Sequence, residues 1–468
     1  MNHASISRRR LIGAAAGIAT LRPLLAQSGR ELRIFDARDY GAAGDGVRLD
    51  TEPIQRAIDA AAASGVPAQV LIRGGKKYLI GTLVLKSNID FHLADDAELL
   101  VSKDVSHYAS ATGGVLTANG AKNLKISGTG NINGRALDFM TGYSKEGEIW
   151  QFGRFRPKIF ILTACQGLQV TGISFSDAPN WGLHIMGCQH VLVDRLKIRN
   201  QLDVPNCDGI DPDHCSDVEI RNCDIVCGDD AIVIKSTRDG SQYGPSSNIS
   251  VKDCVIETKD SGLKIGTETV GDIHDVHFER CEIRSSCRGL TIQLRDEGDI
   301  SNINFSDIRF VARYQAAPWW GRGEAISLTA IPRARGSRVG RIHDVHFRNV
   351  TGHAENSVRV NGTAESRIGD VTFDGVALTF GRTTSYPGSV YDNRPTSAYP
   401  GIEPHGTSAY NIRYADNVTL RNCSVAWEKP VPDSFTNALE AESVTKLALS
   451  GFSGEAAHPD RDPSVIIL

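Results

Sequence analysis

Three observations predict an all-β fold for this chain: a single-stranded, right-handed parallel β-helix, or solenoid, with an N-terminal capping helix. A short apolar pattern recurs along most of the sequence. A second pattern, opening on a polar residue and glycine, lies between its copies. One amphipathic segment precedes both.

The first pattern reads apolar, x, apolar, x, x, Cys or apolar, x, apolar. It spans Leu168 to Phe175, Val191 to Ile198 and Val218 to Ile225, and restarts at Ile249, Val276, Ile303, Val345, Val371, Val418 and Leu447. Many starts lie about 23 to 31 residues apart, the period of a solenoid coil. Each copy alternates like a short strand, breaks at Gly, Asn or Asp, and alternates again. A unit this short buries no face alone, whereas stacked units do. Longer gaps after Leu124, Ile303 and Val371 predict inserted loops or an extra coil.

Asp50 to Ala62 reads as the helix. Thr51 or Asp50 can cap it, Glu52-Pro53 suits the first turn, and Gly65 ends it. Ile54 and Ile58 share one face, so the helix can cover the open end of the solenoid and hide unpaired strand edges. The Gly-rich stretch from Asp36 to Val47 lacks the Gly-Lys-Ser/Thr of a phosphate loop.

The 468 residues are 23% charged and 41% hydrophobic, ordinary for a soluble globular chain, and the net charge of −4 gives no global attraction to nucleic acid or anionic membranes. Residues 1–27 resemble a twin-arginine export signal: Ser7-Arg8-Arg9-Arg10 leads into an apolar stretch, and Leu24-Leu25-Ala26 offers a cleavage site. Residues 28–468 are expected to form one β-helix domain, exported to the periplasm or secreted. Ten cysteines invite a disulfide reading, but Cys223, Cys254, Cys281 and Cys423 recur at one repeat position and Cys165, Cys188 and Cys215 at another. Residues in register stack as a ladder of small hydrophobes. No Cys or His spacing suits a metal, and no cofactor is expected.

The second pattern is x-Gly-apolar-x-apolar-x, with Ala in place of Gly in two copies. Its copies are Trp181–Met186, Asp208–Asp213, Asp230–Lys235, Ser261–Gly266, Arg288–Gln293 and Glu324–Thr329. Third and fifth places face the core; fourth and sixth face out. With one row per coil, rows stand about 4.8 Å apart. Asp208 opens one row, Asp230 the next, and Asp229 precedes it, so three carboxylates converge. Like charges this close raise at least one pKa, supplying the protonated acid and the base that glycoside hydrolysis requires. Asp211 faces out beside them, whereas Asp213 and Asp224 read as turn or solvent groups.

Three stretches now resemble glycoside hydrolase family 28, the polygalacturonase family: Arg156-Pro157-Lys158-Ile159 with Ala178 to His184, Asn206-Cys-Asp-Gly-Ile-Asp211, and Gly228-Asp229-Asp230-Ala-Ile-Val-Ile-Lys235. The resemblance covers roughly residues 33 to 455. It implies an inverting enzyme with Asp229 as general acid. Asp208 and Asp230 would activate water, across the roughly 6.5–9.5 Å gap general to inverting enzymes. Where the family carries Gly-His-Gly, this chain reads Asp260-Ser261-Gly262; where it carries Arg-Ile-Lys, this chain reads Thr291-Ile292-Gln293. The catalytic core is kept and the polygalacturonate subsite is changed.

The expected substrate is therefore a pectin-type polysaccharide or oligosaccharide attacked with altered specificity, rhamnogalacturonan-like or exo-acting. Expected substrate-binding residues are Asn206, Asp211, Lys235, Ser261, Lys264, Arg288, Arg295 and Trp320, the last from the aromatic loop Pro318-Trp319-Trp320-Gly321. Monomeric action is expected. A polysaccharide lyase on the same scaffold and a non-catalytic glycan-binding solenoid are the rival readings.

Overall fold

The computed structural model describes residues 32–109 and 113–468; the export segment lies outside them. Thirty-six strands join in one parallel network, wound as a right-handed parallel β-helix. A middle coil shows the plan. Ser216–Arg221, Asp224–Cys227 and Ile232–Ser236 form its three sides, and each pairs in parallel with its counterparts on the coils before and after. In later coils the first two sides fuse into single bent strands such as Ile300–Ala312 and Ile342–Ala354.

The repeat is the register. Val191, Val218, Ile249, Val276, Ile303, Val345, Val371, Val418 and Leu447 stand directly above one another through successive pairings. Apolar side chains of each coil meet in one continuous core. Phe278, Phe305, Phe347 and Phe373 stack face to face there, with ring centres 4.7, 4.9 and 4.9 Å apart, close to the spacing of neighbouring strands. Asn222, Asp253, Arg280, Asp307 and Asn349 turn the corner between the first two sides with positive φ, a conformation that Asn and Asp tolerate well. All ten cysteines are buried free thiols.

The helix (α1, Thr51–Ala63) caps the first coils, burying Ile54, Ala57, Ile58 and Ala61. Neither expected capping side chain caps it. The buried Asp50 carboxylate instead accepts hydrogen bonds from Ala43 N at 2.6 Å and Gly44 N at 2.9 Å, and Thr51 Oγ1 accepts from Gly81 N. Both tie the helix to neighbouring turns, because those buried amides need partners more than the helix's solvated first turn does.

The long gaps are inserted loops. Met140–Ser144 and Ile149–Phe152 form an antiparallel hairpin. The segment after Ala312 carries Trp319 and Trp320, and the segment after Phe380 carries the short antiparallel pair Val390–Asp392 and Ile402–Pro404. The last segment packs on the side of the solenoid built from the second pattern, through Asp392 against Arg288 and Tyr391 against Arg359, and the other two are tied to it through Gly321 and Glu148. No described helix is long and apolar enough to cross a membrane.

Candidate active site

The third side of the solenoid stacks the second pattern in the expected register. Leu183, Ile210, Ile232, Leu263, Leu290 and Ile326 form one core column. The outward column beside it holds His184, Asp211, Val233, Lys264, Thr291 and Ser327, and two further rows add Arg359 and Asn411. These outward positions are nonetheless buried, Asp211, Lys235, Lys264, Thr291 and Gln293 among them, and loop residues such as Tyr391 and Asp392 pack over part of this side.

Glycine holds the aspartates at close backbone approaches. A Cβ on Gly209 would stand 2.3 Å from Ala231 O, and one on Gly228 2.4 Å from Val204 O. Asp208 and Asp229-Asp230 therefore sit on adjacent coils drawn tightly together. One carboxylate oxygen from each of Asp208, Asp229 and Asp230 lies within 4.8 Å of the other two. These nearest oxygens stand closer than the roughly 6.5–9.5 Å that separates the two carboxyl groups of inverting enzymes generally. The trio is also spaced to hold a metal ion, but two ammonium groups already set positive charge against it.

Lys264 Nζ meets Asp230 Oδ2 at 2.6 Å. Lys235 Nζ lies 3.6 Å from Asp208, 3.5 Å from Asp211 and 3.5 Å from Glu268. Asp229 is the partly exposed member of the trio. It accepts from Asn206 N and Asp230 N, both at 2.9 Å. Burial, then the neighbouring Asp230 charge, raises its pKa against those two bonds. Burial with Asp211 and Asp229 raises Asp208 further, and one Asp208 oxygen has no partner. Burial also pushes Asp211 up to about 7, with Lys235 opposing. Asp208, Asp211 and Asp229 therefore all hold their protons more tightly than free carboxyls do.

The remaining expected residues divide. The Asn206 side chain accepts from Arg156 at 2.9 Å, so it braces the Asp229 loop. Ser261 is buried and its hydroxyl donates to Asp260 at 3.0 Å. Arg288 sits between Asp260 at 3.8 Å and Glu324 at 3.7 Å, away from the aspartate trio. Arg295 is buried just past the end of the strand Arg288–Leu294. Trp320 is 39% exposed on the covering loop, whereas Trp319 turns inward and donates to Glu148 O. Asp213 is corrected: it is fully buried, bonded to His184 at 3.1 Å and to Thr237 at 2.7 and 2.8 Å. Burial pushes Asp213 up, but those partners outweigh it and leave it below the usual range. Asp224 pairs with Arg199 at the surface.

Sequence reasoning missed Asp260 as a member of the site. Burial, then Asp230, pushes its carboxyl up to about 8. The signal was present: Asp230 and Ser261 occupy one column, so the residues before them, Asp229 and Asp260, share another. Lys158 and Trp181 also join the site, with Lys158 Nζ 3.6 Å and Lys235 Nζ 4.5 Å from the Trp181 ring centre. A groove of about 620 Å³ between Glu282 and Ser424 lies on another side and includes none of these groups.

A cluster of carboxyls and ammoniums under loops on a β-helix is the setting of a carbohydrate-acting fold, and the comparisons agree. The chain belongs to the glycosyl hydrolases family 28, whose family model matches residues 63–392. A protein named a probable polygalacturonase of Vitis vinifera is 30% identical over 52% of this chain and 53% of its own length. An exopolygalacturonase of Zea mays is 24% identical over 78% and 88%. The aligned region spans about half the length of the first curated relatives. Among solved structures, an exopolygalacturonase from Thermotoga maritima superposes with a TM-score of 0.67 at 21% identity, covering 84% of this chain and 92% of its own. One from Yersinia enterocolitica gives 0.66 at 17% identity, covering 90% and 78%. These two likenesses show the shared fold.

Proposed function

We propose that this chain hydrolyses a glycosidic bond in a pectin-type plant polysaccharide, with Asp229 as general acid and Asp208 with Asp230 orienting the attacking water. The observation that carries the reading is the meeting of three carboxylates on adjacent coils, with the pKa values of Asp208 and Asp229 raised. Asp229 suits the acid role because it alone of the three is partly exposed, so its proton can reach a leaving oxygen. Asp230 is held in place by Lys264 at 2.6 Å, beside where an attacking water would be oriented. Export through residues 1–27 belongs to the same proposal.

Chain-end attack is favoured by Glu148. Its carboxylate takes bonds from Lys259 at 3.1 Å and Tyr386 at 2.6 Å, and its carbonyl takes one from Trp319. Four segments are thus pinned together beside Asp260, walling the cleft. The relatives named as exopolygalacturonases fit this reading.

The test is reducing-sugar release from a panel of plant polysaccharides, with Asp229→Asn beside the wild type. Loss of general acid catalysis is expected to slow turnover by about 10²–10⁴-fold. Unsaturated, ultraviolet-absorbing products would instead show a lyase, and binding without turnover would show a glycan-binding solenoid.

A further inference from the structure

Leu290, Ile292 and Leu294 point into the core, so Thr291, Gln293 and Arg295 are successive outward side chains of one stretch. All three are buried, and each has polar atoms without a partner: Thr291 Oγ1, Gln293 Oε1, and Arg295 Nε and Nη2.

Arg295 is the anomaly. It is 2% exposed, and among the described residues its guanidinium makes neither a hydrogen bond nor an ion pair. The acids around it are engaged elsewhere. Asp296 is held by Arg333 at 2.7 Å, and Glu268 stands between Lys235 at 3.5 Å and Arg333 at 3.9 Å. Arg288, the other buried arginine of the row, faces Glu324 and Asp260. Burial, and then Arg333, lowers the Arg295 guanidinium to about 10. A buried cation without a counter-charge is costly, and an anion brought by a ligand offsets that cost.

We infer that Arg295 binds a carboxylate of the glycan, while Thr291 and Gln293 meet neutral hydroxyls beside it. The row lies two coils beyond Asp230, roughly 10 Å along the axis. The ligand class is a glycan that presents a uronate carboxylate next to a neutral, hydroxyl-bearing face. The position of that carboxylate relative to the cleaved bond rests on the proposed hydrolase reading; the binding itself does not.

The probes are digalacturonate and its dimethyl ester, titrated calorimetrically into an Asp229→Asn chain with and without Arg295→Met. The acid is expected to bind more tightly than the ester. Arg295→Met is expected to weaken the acid by roughly 10- to 100-fold, the worth of a charged hydrogen bond, and to leave the ester unchanged. Without ligand, the Tm of Arg295→Met should equal or exceed that of the parent, because an unpaired buried charge has gone. Equal affinity for both probes, binding of neither, or a lowered Tm with equal losses for both would overturn the inference. If the wild type cleaves nothing yet acid binding depends on Arg295, the inference stands and the hydrolase reading falls. If acidic glycan is cleaved with kcat/KM untouched by Arg295→Met, the reverse holds.

Discussion

Lys264 Nζ lies 2.6 Å from the Asp230 carboxylate, and both side chains are almost wholly buried. Removing one partner of such a pair strands the other charge, at a cost of about 3–5 kcal/mol. Lys264→Met is therefore expected to lower the denaturant midpoint. It should also abolish most turnover, because Asp230 would lose the ammonium that fixes its carboxylate in the site. Chemical denaturation with activity assays on the same preparation checks both. Normal turnover in the variant would remove Lys264 from the site.

The anomer formed first reports which nucleophile acts. Asp208 is 2% exposed and Asp230 is held by Lys264, so neither is free to bond to an anomeric carbon, and water remains. Inversion is expected despite the short carboxylate spacing, and proton NMR of fresh product reads it directly. Retention would mean that a carboxylate attacks.

Stability should fall as pH rises. Asp211 and Asp260 have carboxyls raised to about 7 and about 8 from 3.8. A raised acid contributes its full stability below the unfolded value, and that contribution is lost as pH climbs through the folded one. The expected window runs from about pH 4 to 8. Asp260→Asn should flatten the upper part of the slope and gain in Tm relative to wild type at pH 8. A Tm that rises across this window in wild type would contradict the arrangement.

Glu148→Ala should loosen the cleft wall without touching the aspartates. The expected change is in product pattern: fewer monomers or short end products, and a faster fall in polymer viscosity per bond cut. An unchanged pattern would mean that the Glu148 network does not set the mode of attack.

Much of the fold was legible because a solenoid writes its register into sequence. The column from Val191 to Leu447 could be placed from spacing alone, since every coil repeats the same burial. Asp208, Asp229 and Asp230 were legible for the same reason: they occupy ladder positions. Burial of the outward column was not, because it depends on loops that repeat nothing. The partners of Asp213, the inward turn of Trp319 and the bracing role of Asn206 all arise from contacts between such loops and the ladder. The Asp50 cap failed differently, since nothing local announced that Ala43 and Gly44 would compete for its carboxylate.

The stacked rings of Phe278, Phe305, Phe347 and Phe373 bear on how the molecule comes apart. A solenoid whose coils touch only their neighbours can fray from either end, one turn at a time. Rings lying flat on one another forfeit contact on both faces when a single member leaves, so these four turns tend to let go together. Limited proteolysis should then nibble inward from the termini and stall at this block. The rows bearing Arg288 through Thr329 ride on it, so the rows proposed to bind ligand are expected to outlast the described ends of the solenoid.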